Sequence, residues 1–315
     1  MRYFDAATIR ACLPWPRMLA ALDAMLKEDV AAPLRANHAI DVPAGPPATL
    51  LLMPAWRTGK RIGVKLVTVF PGNRDRGERA VNAVYALFDA TNGVPLALFD
   101  GDEITARRTA GASAYAARFL ARRDASHLVM VGAGRQARGL IEAHCHVRPI
   151  ERVSLWSRTP AHAEAAARGM RKDGLPVAAA RDLETVVRGA DIVCCATLAT
   201  APLVQGKWLA PGVHLDLVGA FRPEMRETDD AAIARADMIV VDDRPGALAE
   251  GGDLVQALAS GAIGADRIVA TLGDFAHGFH RGRTRDDEVT VFKSVGFALE
   301  DLATAEAVLD SQGPG

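Results

Sequence analysis

The chain has no excess of either charge: 37 lysines and arginines stand against 38 aspartates and glutamates, a formal net of −1. A protein that meets nucleic acid or an anionic membrane surface uses a basic surplus against the phosphates, so neither partner is expected. No apolar run approaches the roughly 20 residues that a bilayer-spanning helix requires. The opening residues, MRYFDAATIR, lack the apolar core of an export signal, so a cytoplasmic protein is expected. Cysteine is scarce: Cys12, Cys145, Cys194 and Cys195 fit no zinc spacing, and the adjacent pair lies in an apolar run. Free thiols in a reducing compartment are the expectation. His144 and His146 stand two apart, where helical side chains diverge, and no further ligand cluster accompanies them. No metal is therefore expected.

What is present is the apolar and charged mixture of a globular protein, over 315 residues, a length that suits two domains rather than one core. Residues 16 to 30 carry Met18, Leu19, Leu22, Met25, Leu26 and Val30 at helical spacing. From 38 to 99 the pattern changes to short apolar runs (Thr49 to Met53, Ile62 to Phe70, Val84 to Phe88) divided by Pro71-Gly72-Asn73 and Asn92-Gly93. Such punctuation predicts an antiparallel sheet. Thr105 to Leu120 is rich in small residues and reads as a helix packed closely between domains.

Strand and helix then alternate. Strands are predicted at His127–Val131, Arg152–Trp156, Asp191–Cys195, Val213–Val218 and Met238–Val241, with helices at Gln136–Val147 and Pro160–Arg171. That alternation implies a parallel sheet covered on both faces. Thr290 to Leu309 begins as a strand and ends as a helix that returns to the first domain. The fold class expected is α/β, a Rossmann-type doubly wound parallel sheet with a smaller α+β domain. The divisions fall at 1–118 with 292–315 for substrate and dimerisation, and at 119–291 for the dinucleotide.

The strand His127–Val131 runs into Gly132-Ala133-Gly134-Arg135-Gln136-Ala137, a G-x-G-x-x-A turn. Gly132 permits the tight turn, Gly134 lets backbone approach a pyrophosphate, and Ala137 lets the helix pack on its strand. The alternative is a tight turn with no ligand. An enzyme selective for NAD places an acid at the end of the second strand; here the residues are Ser157, Arg158 and Thr159. A guanidinium and two hydroxyls suit a 2′-phosphate, which favours NADPH while leaving NADH usable. Ala196, Thr197 and Val218 follow later strands, where the nicotinamide end belongs.

Lys65 lies in an apolar strand and shares a face with Gly63, Val67 and Val69. A lysine buried there needs an anion or a depressed pKa; the alternative is an edge strand with the amine in solvent. Arg107 and Arg108 open the small-residue helix about 100° apart, so one of them alone can face a pocket squarely. Arg35 is a third cation. Two arginines can clamp a carboxylate while a lysine polarises a carbon–nitrogen double bond.

These pieces together resemble the ornithine cyclodeaminase/mu-crystallin family. The likeness is carried by LLLMPAW (50 to 56), GVKLVTVFPGN (63 to 73), LFDATNGVPLAL (87 to 98), DGDEITARRTAGASAYAARFLAR (100 to 122), VGAGRQAR (131 to 138), CATLATAPLV (195 to 204) and TVFKSVGFALEDL (290 to 302). It implies a homodimer in which Arg35, Met53, Lys65 and Arg108 contact substrate, Lys65 and Arg108 being catalytic. It likewise implies that Thr109, Ser294 and Val295 lie near the cofactor. Ornithine cyclodeaminases carry an Asp and a Glu where this chain has Phe221 and Leu51. The wording is similar to the Δ1-pyrroline-2-carboxylate reductase subgroup, which also accepts Δ1-piperideine-2-carboxylate. The resemblance therefore implies reduction of a cyclic imino acid to proline or pipecolate. The competing readings are ornithine cyclodeaminase, alanine dehydrogenase and a mu-crystallin-like ligand-binding protein.

Overall fold

The computed structural model describes residues 1–43 and 45–313, with the backbone alone at residue 74. Two compact units result: Met1–Arg108 joined by the residues from Phe297 onward, and Thr109–Gly296. The changeover falls within the helix Gly101–Leu120, and again after the last strand of the second unit. The first point lies ten residues before the division read at 118, and the second five residues after the one read at 292. Strand Thr290–Lys293 pairs on both sides inside the parallel sheet, so it stays with the second unit and only the helix that follows it returns.

The first unit is a six-stranded sheet of β1 (Arg2–Phe4), β2 (Ala36–Ile40), β3 (Ala48–Arg57), β4 (Arg61–Val69), β5 (Val81–Asp89) and β6 (Pro95–Asp100), ordered β1-β6-β5-β4-β3-β2. All neighbours are antiparallel except β1, which runs parallel to β6. Alternation puts Met53, Lys65, Tyr85 and Phe99 in register across four strands, on one face. The helices Trp15–Met25 and Ala298–Asp310 pack on each other, and the latter covers β3 and β4. The first helix ends at Met25, short of the Val30 that its spacing suggested, because the chain turns there to bridge Ala31 to Trp56.

The second unit is an eight-stranded sheet, parallel throughout: β7 (His127–Val131), β8 (Arg152–Trp156), β9 (Val177–Ala180), β10 (Ile192–Cys195), β11 (His214–Leu217), β12 (Met238–Val241), β13 (Ile268–Thr271) and β14 (Thr290–Lys293). Its order is β13-β12-β14-β11-β10-β7-β8-β9. Every residue of β7, β10, β11, β12 and β14 is buried, as a sheet covered on both faces demands; β10 and β12 are apolar throughout, while His127, His214, Asp216, Thr290 and Lys293 are buried polar residues of the other three. Asp191 stands just before β10, and its carboxylate accepts from the Ser126 and His127 amides and from Arg122. The strand order reverses at β7: β8 and β9 lie to one side, β10 and its successors to the other. A doubly wound sheet binds its ligand at the strand carboxyl ends beside such a reversal.

Candidate functional site

In the second unit the reversal point is built from the turns after β7 and β10. Gly132 has φ +114°, a conformation that glycine alone takes at ease, and its amide donates to Trp156 O. A Cβ on it would lie 2.7 Å from Ala196 O, so the two turns touch. Gly134 is the opposite case: a Cβ there meets nothing within 4 Å. Bare backbone facing open space, at the entry of the helix Gln136–Val147, is what an approaching pyrophosphate uses. Ala133 and Arg135 complete the turn, Arg135 being the residue that precedes the helix. Ala137 is buried against the sheet. Arg158 and Thr159 are exposed beyond β8, and Ser157 Oγ accepts from the Thr159 amide. The residues present therefore fit a dinucleotide.

Ala196 and Thr197 follow β10, and Val218 follows β11, with Val218 N donating to Cys195 O. Ser294 and Val295 follow β14, where Ser294 Oγ and the Val295 and Gly296 amides all donate to Asp242 at the end of β12. Thr109 opens this unit and is buried.

The first unit gathers the cations. Lys65 sits on an interior strand at 1% exposure, so the edge-strand alternative does not hold. Its Nζ reaches Asp301 at 2.7 to 2.8 Å, and Arg108 lies 3.3 Å from the same carboxylate and 3.1 Å from Glu300. Burial pushes the Lys65 ammonium down to about 8; Asp301 opposes that shift, and the charges of Arg108 and Arg35 add to it. Arg35, Lys65 and Arg108 thus share one electrostatic neighbourhood, with Met53 opposite Lys65 on β3. Arg107 turns away: its guanidinium lies over the Trp15 ring and pairs with Glu103. Asp301 and Glu300 are the residues that the sequence reading missed. Two acids in the first turn of an amphipathic helix look like ordinary dipole partners, and nothing local shows that they are buried.

Among the described residues one group could hold a metal: His144, Cys194 and Asp216, all buried within the parallel sheet unit, their ligand atoms within 4.8 Å of one another. The arrangement closes without an ion. His144 Nε2 and Cys194 Sγ meet Asp216 Oδ2 at 3.0 and 3.1 Å, and Ser113 Oγ donates to Oδ1. Burial would raise the Asp216 carboxyl, yet these partners hold it below its ordinary range. His146 takes no part. At the two positions that separate the lyases, Leu51 lies between Asn37 and Val67 in the sheet, and the Phe221 ring carries the Arg222 guanidinium.

Comparison with known proteins agrees with this geometry. The ornithine cyclodeaminase/mu-crystallin family model matches residues 38–313. The chain is 41% identical over 288 residues to a Δ1-pyrroline-2-carboxylate reductase of Paracoccus denitrificans, covering 89% of this chain and 91% of that one. The Thermococcus litoralis Δ1-pyrroline-2-carboxylate reductase, solved with NADH and L-proline, superposes with a TM-score of 0.92 at 32% identity, over 99% of this chain and 97% of that one. An archaeal alanine dehydrogenase dimer with bound NAD superposes with a TM-score of 0.88 at 28% identity, over 99% and 95%.

Proposed function

Because the chain belongs to the ornithine cyclodeaminase/mu-crystallin family, we propose that it reduces a cyclic ketimine carboxylate with a nicotinamide dinucleotide. The substrate is Δ1-pyrroline-2-carboxylate or its six-membered homologue, and the product proline or pipecolate. One observation carries the reading: Lys65 and Arg108 are buried together on the Asp301 carboxylate, within reach of the charge of half-buried Arg35, in a chain similar to one solved with L-proline. Positions 51 and 221 offer no carboxylate to hold the side-chain amine of a diamino acid.

Arg108 and Arg35 bind the substrate carboxylate; a planar guanidinium can meet both of its oxygens at once. When bound, the reduced dinucleotide supplies a hydride to the imine carbon. The displaced electron pair goes to the ring nitrogen, which requires a proton. The Lys65 ammonium, oriented by Asp301, is the acid in this cluster. The apolar face around it keeps water from competing.

A pH dependence follows. Below its pKa the lysine carries the proton to be donated; above it, the amine is neutral and can neither donate nor stabilise negative charge. We expect kcat/KM for the imine to fall as pH rises through about 8. A profile flat to the alkaline side, once substrate ionisation is accounted for, removes Lys65 from this role.

NADPH is the preferred cofactor in this reading, on the strength of Arg158 and the absence of an acid at the end of β8. Arg158→Ala removes one charge-assisted contact, about 1.5 to 3 kcal/mol, so NADPH should lose about tenfold or more in kcat/KM. NADH should be almost unaffected. Equal losses for both would mean that Arg158 does not read the 2′-phosphate. We also propose a homodimer, on the likeness to the archaeal dimer; light scattering reads it directly. The four free cysteines suit the cytoplasm.

The deciding assay follows NADPH and NADH absorbance with Δ1-pyrroline-2-carboxylate, beside pyruvate with ammonia and ornithine with NAD. Oxidation with proline as product supports the reductase. Ammonia from ornithine, with the imine untouched, overturns it.

A further inference from the structure

Glu227 lies outside the glycine turn and outside the cation cluster, yet it is fully buried at the carboxyl edge of the parallel sheet. Its Oε1 accepts from Thr197 N at 2.6 Å and Thr197 Oγ1 at 2.8 Å, in the loop after β10. Its Oε2 accepts from Gly219 N at 2.7 Å, in the loop after β11. One carboxylate therefore ties two neighbouring loops together, each by a different oxygen. The loops are pressed so close that a Cβ on Gly219 would lie 2.2 Å from Thr197 O and 2.3 Å from Glu227 Oε1.

Glu227 is itself held from behind. Asp253 Oδ1 accepts from Glu227 N, Thr228 N and Thr228 Oγ1 at 2.9 to 3.1 Å, and Asp253 Oδ2 lies 3.5 Å from Lys293 Nζ. Leu203 N and Val204 N donate to the Glu227 carbonyl. Asp253 and Lys293 are as buried as Glu227. Two acids and a lysine removed from water are a poor source of stability; an apolar cluster of that volume would serve as well or better. What an apolar cluster cannot do is accept hydrogen bonds from two loops at once. Nor can glutamine, which presents one acceptor and one donor where a carboxylate presents two acceptors.

We infer that Glu227 is a positioning residue, fixing the spacing of the Thr197 and Gly219 loops against which the nicotinamide end of the dinucleotide lies, with Asp253 and Lys293 holding it in place. This rests on the proposed placement of the dinucleotide along this edge. Thr197 and Val218 touch the ligand in that reading; Glu227 acts through Thr197 and through Gly219, the residue after Val218.

The test compares two ligands on the full-length protein. NADH carries the nicotinamide, whereas ADP-ribose keeps the adenosine and pyrophosphate but lacks it. In Glu227→Gln the carboxamide must face one loop with a donor, so that loop lets go. ADP-ribose should bind within about twofold of the parent, while NADH binding weakens by about tenfold and kcat for the imine falls by about tenfold or more. The primary deuterium isotope effect on kcat with NADH labelled at C4 should rise, as a misplaced nicotinamide makes hydride transfer limiting. Thr228→Val, which loses one hydrogen bond to the Asp253 carboxylate behind Glu227 at nearly constant shape, should show the same split at smaller size, and it carries the test if Glu227→Gln does not fold. An active parent with an unaffected Glu227→Gln overturns this inference alone. So does a variant whose ADP-ribose and NADH affinities fall together, since that is loss of structure. A parent that binds neither ligand overturns the placement of the dinucleotide and this inference with it.

Discussion

Lys65→Ala should lower kcat for the imine by at least about 100-fold, the scale of removing one preorganised donor from a buried site, while leaving dinucleotide affinity unchanged. The geometry makes the variant costly in a second way. Asp301 loses the ammonium at 2.7 Å and keeps Arg108, at 3.3 Å, as its recorded counter-charge. Breaking a buried pair from one side costs about 3 to 5 kcal/mol, which Arg108 tempers, so Tm falls too. Lost activity could then be mistaken for lost fold. The double variant Lys65→Met/Asp301→Asn separates the two, because it removes both charges at similar volume. Its Tm should recover towards the parent's while turnover stays low. Calorimetry beside steady-state assays reads both quantities. Turnover near the parent's in the folded double variant would take Lys65 out of the chemistry.

Gly134→Ala should fold like the parent and lose dinucleotide binding by about 10- to 100-fold, or about 1.4 to 2.8 kcal/mol. The prediction turns on a contrast between two glycines in one turn. At Gly132 a methyl collides with Ala196 O and the backbone needs positive φ, so any loss of binding there is mixed with strain. At Gly134 φ is unremarkable for an L-residue and a methyl meets nothing within 4 Å. The added atom can do harm only by occupying space that a ligand needs. Calorimetric titration with NADPH and NADH, beside a thermal melt, checks both halves. Unchanged affinity in a folded Gly134→Ala would mean that no pyrophosphate approaches the turn there.

The sequence read best where burial is complete. Strands β7, β8 and β12 appear at the residues expected, because the buried, mostly apolar centre of each lies between turn signals that leave little choice of boundary. Strand β9 is VAAA, and alanine marks neither strand nor helix; edge strand β2 is mostly exposed and shows no alternation to read. In the site, the glycine turn was legible because its chemistry is local. Lys65 was legible because an ammonium is out of place on an apolar strand. Its partner was not: Asp301 is 236 residues away, and no periodicity links the two. Glu227 was hidden for the same reason, since a carboxylate that bridges two loops looks in sequence like any surface acid.

The pairing of Lys65 with Asp301 also sets an order of events during synthesis. The six strands of the first unit are complete by residue 100, but the helix that covers β3 and β4 begins at Ala298. On the ribosome the sheet therefore emerges with a lysine on its apolar face and no counter-ion to receive it. The parallel sheet, encoded in between, has all its strands once residue 293 is out. The middle of the chain is thus equipped to fold before the beginning, and the cluster of Lys65, Arg108 and Asp301 assembles only once the helix from Ala298 has followed.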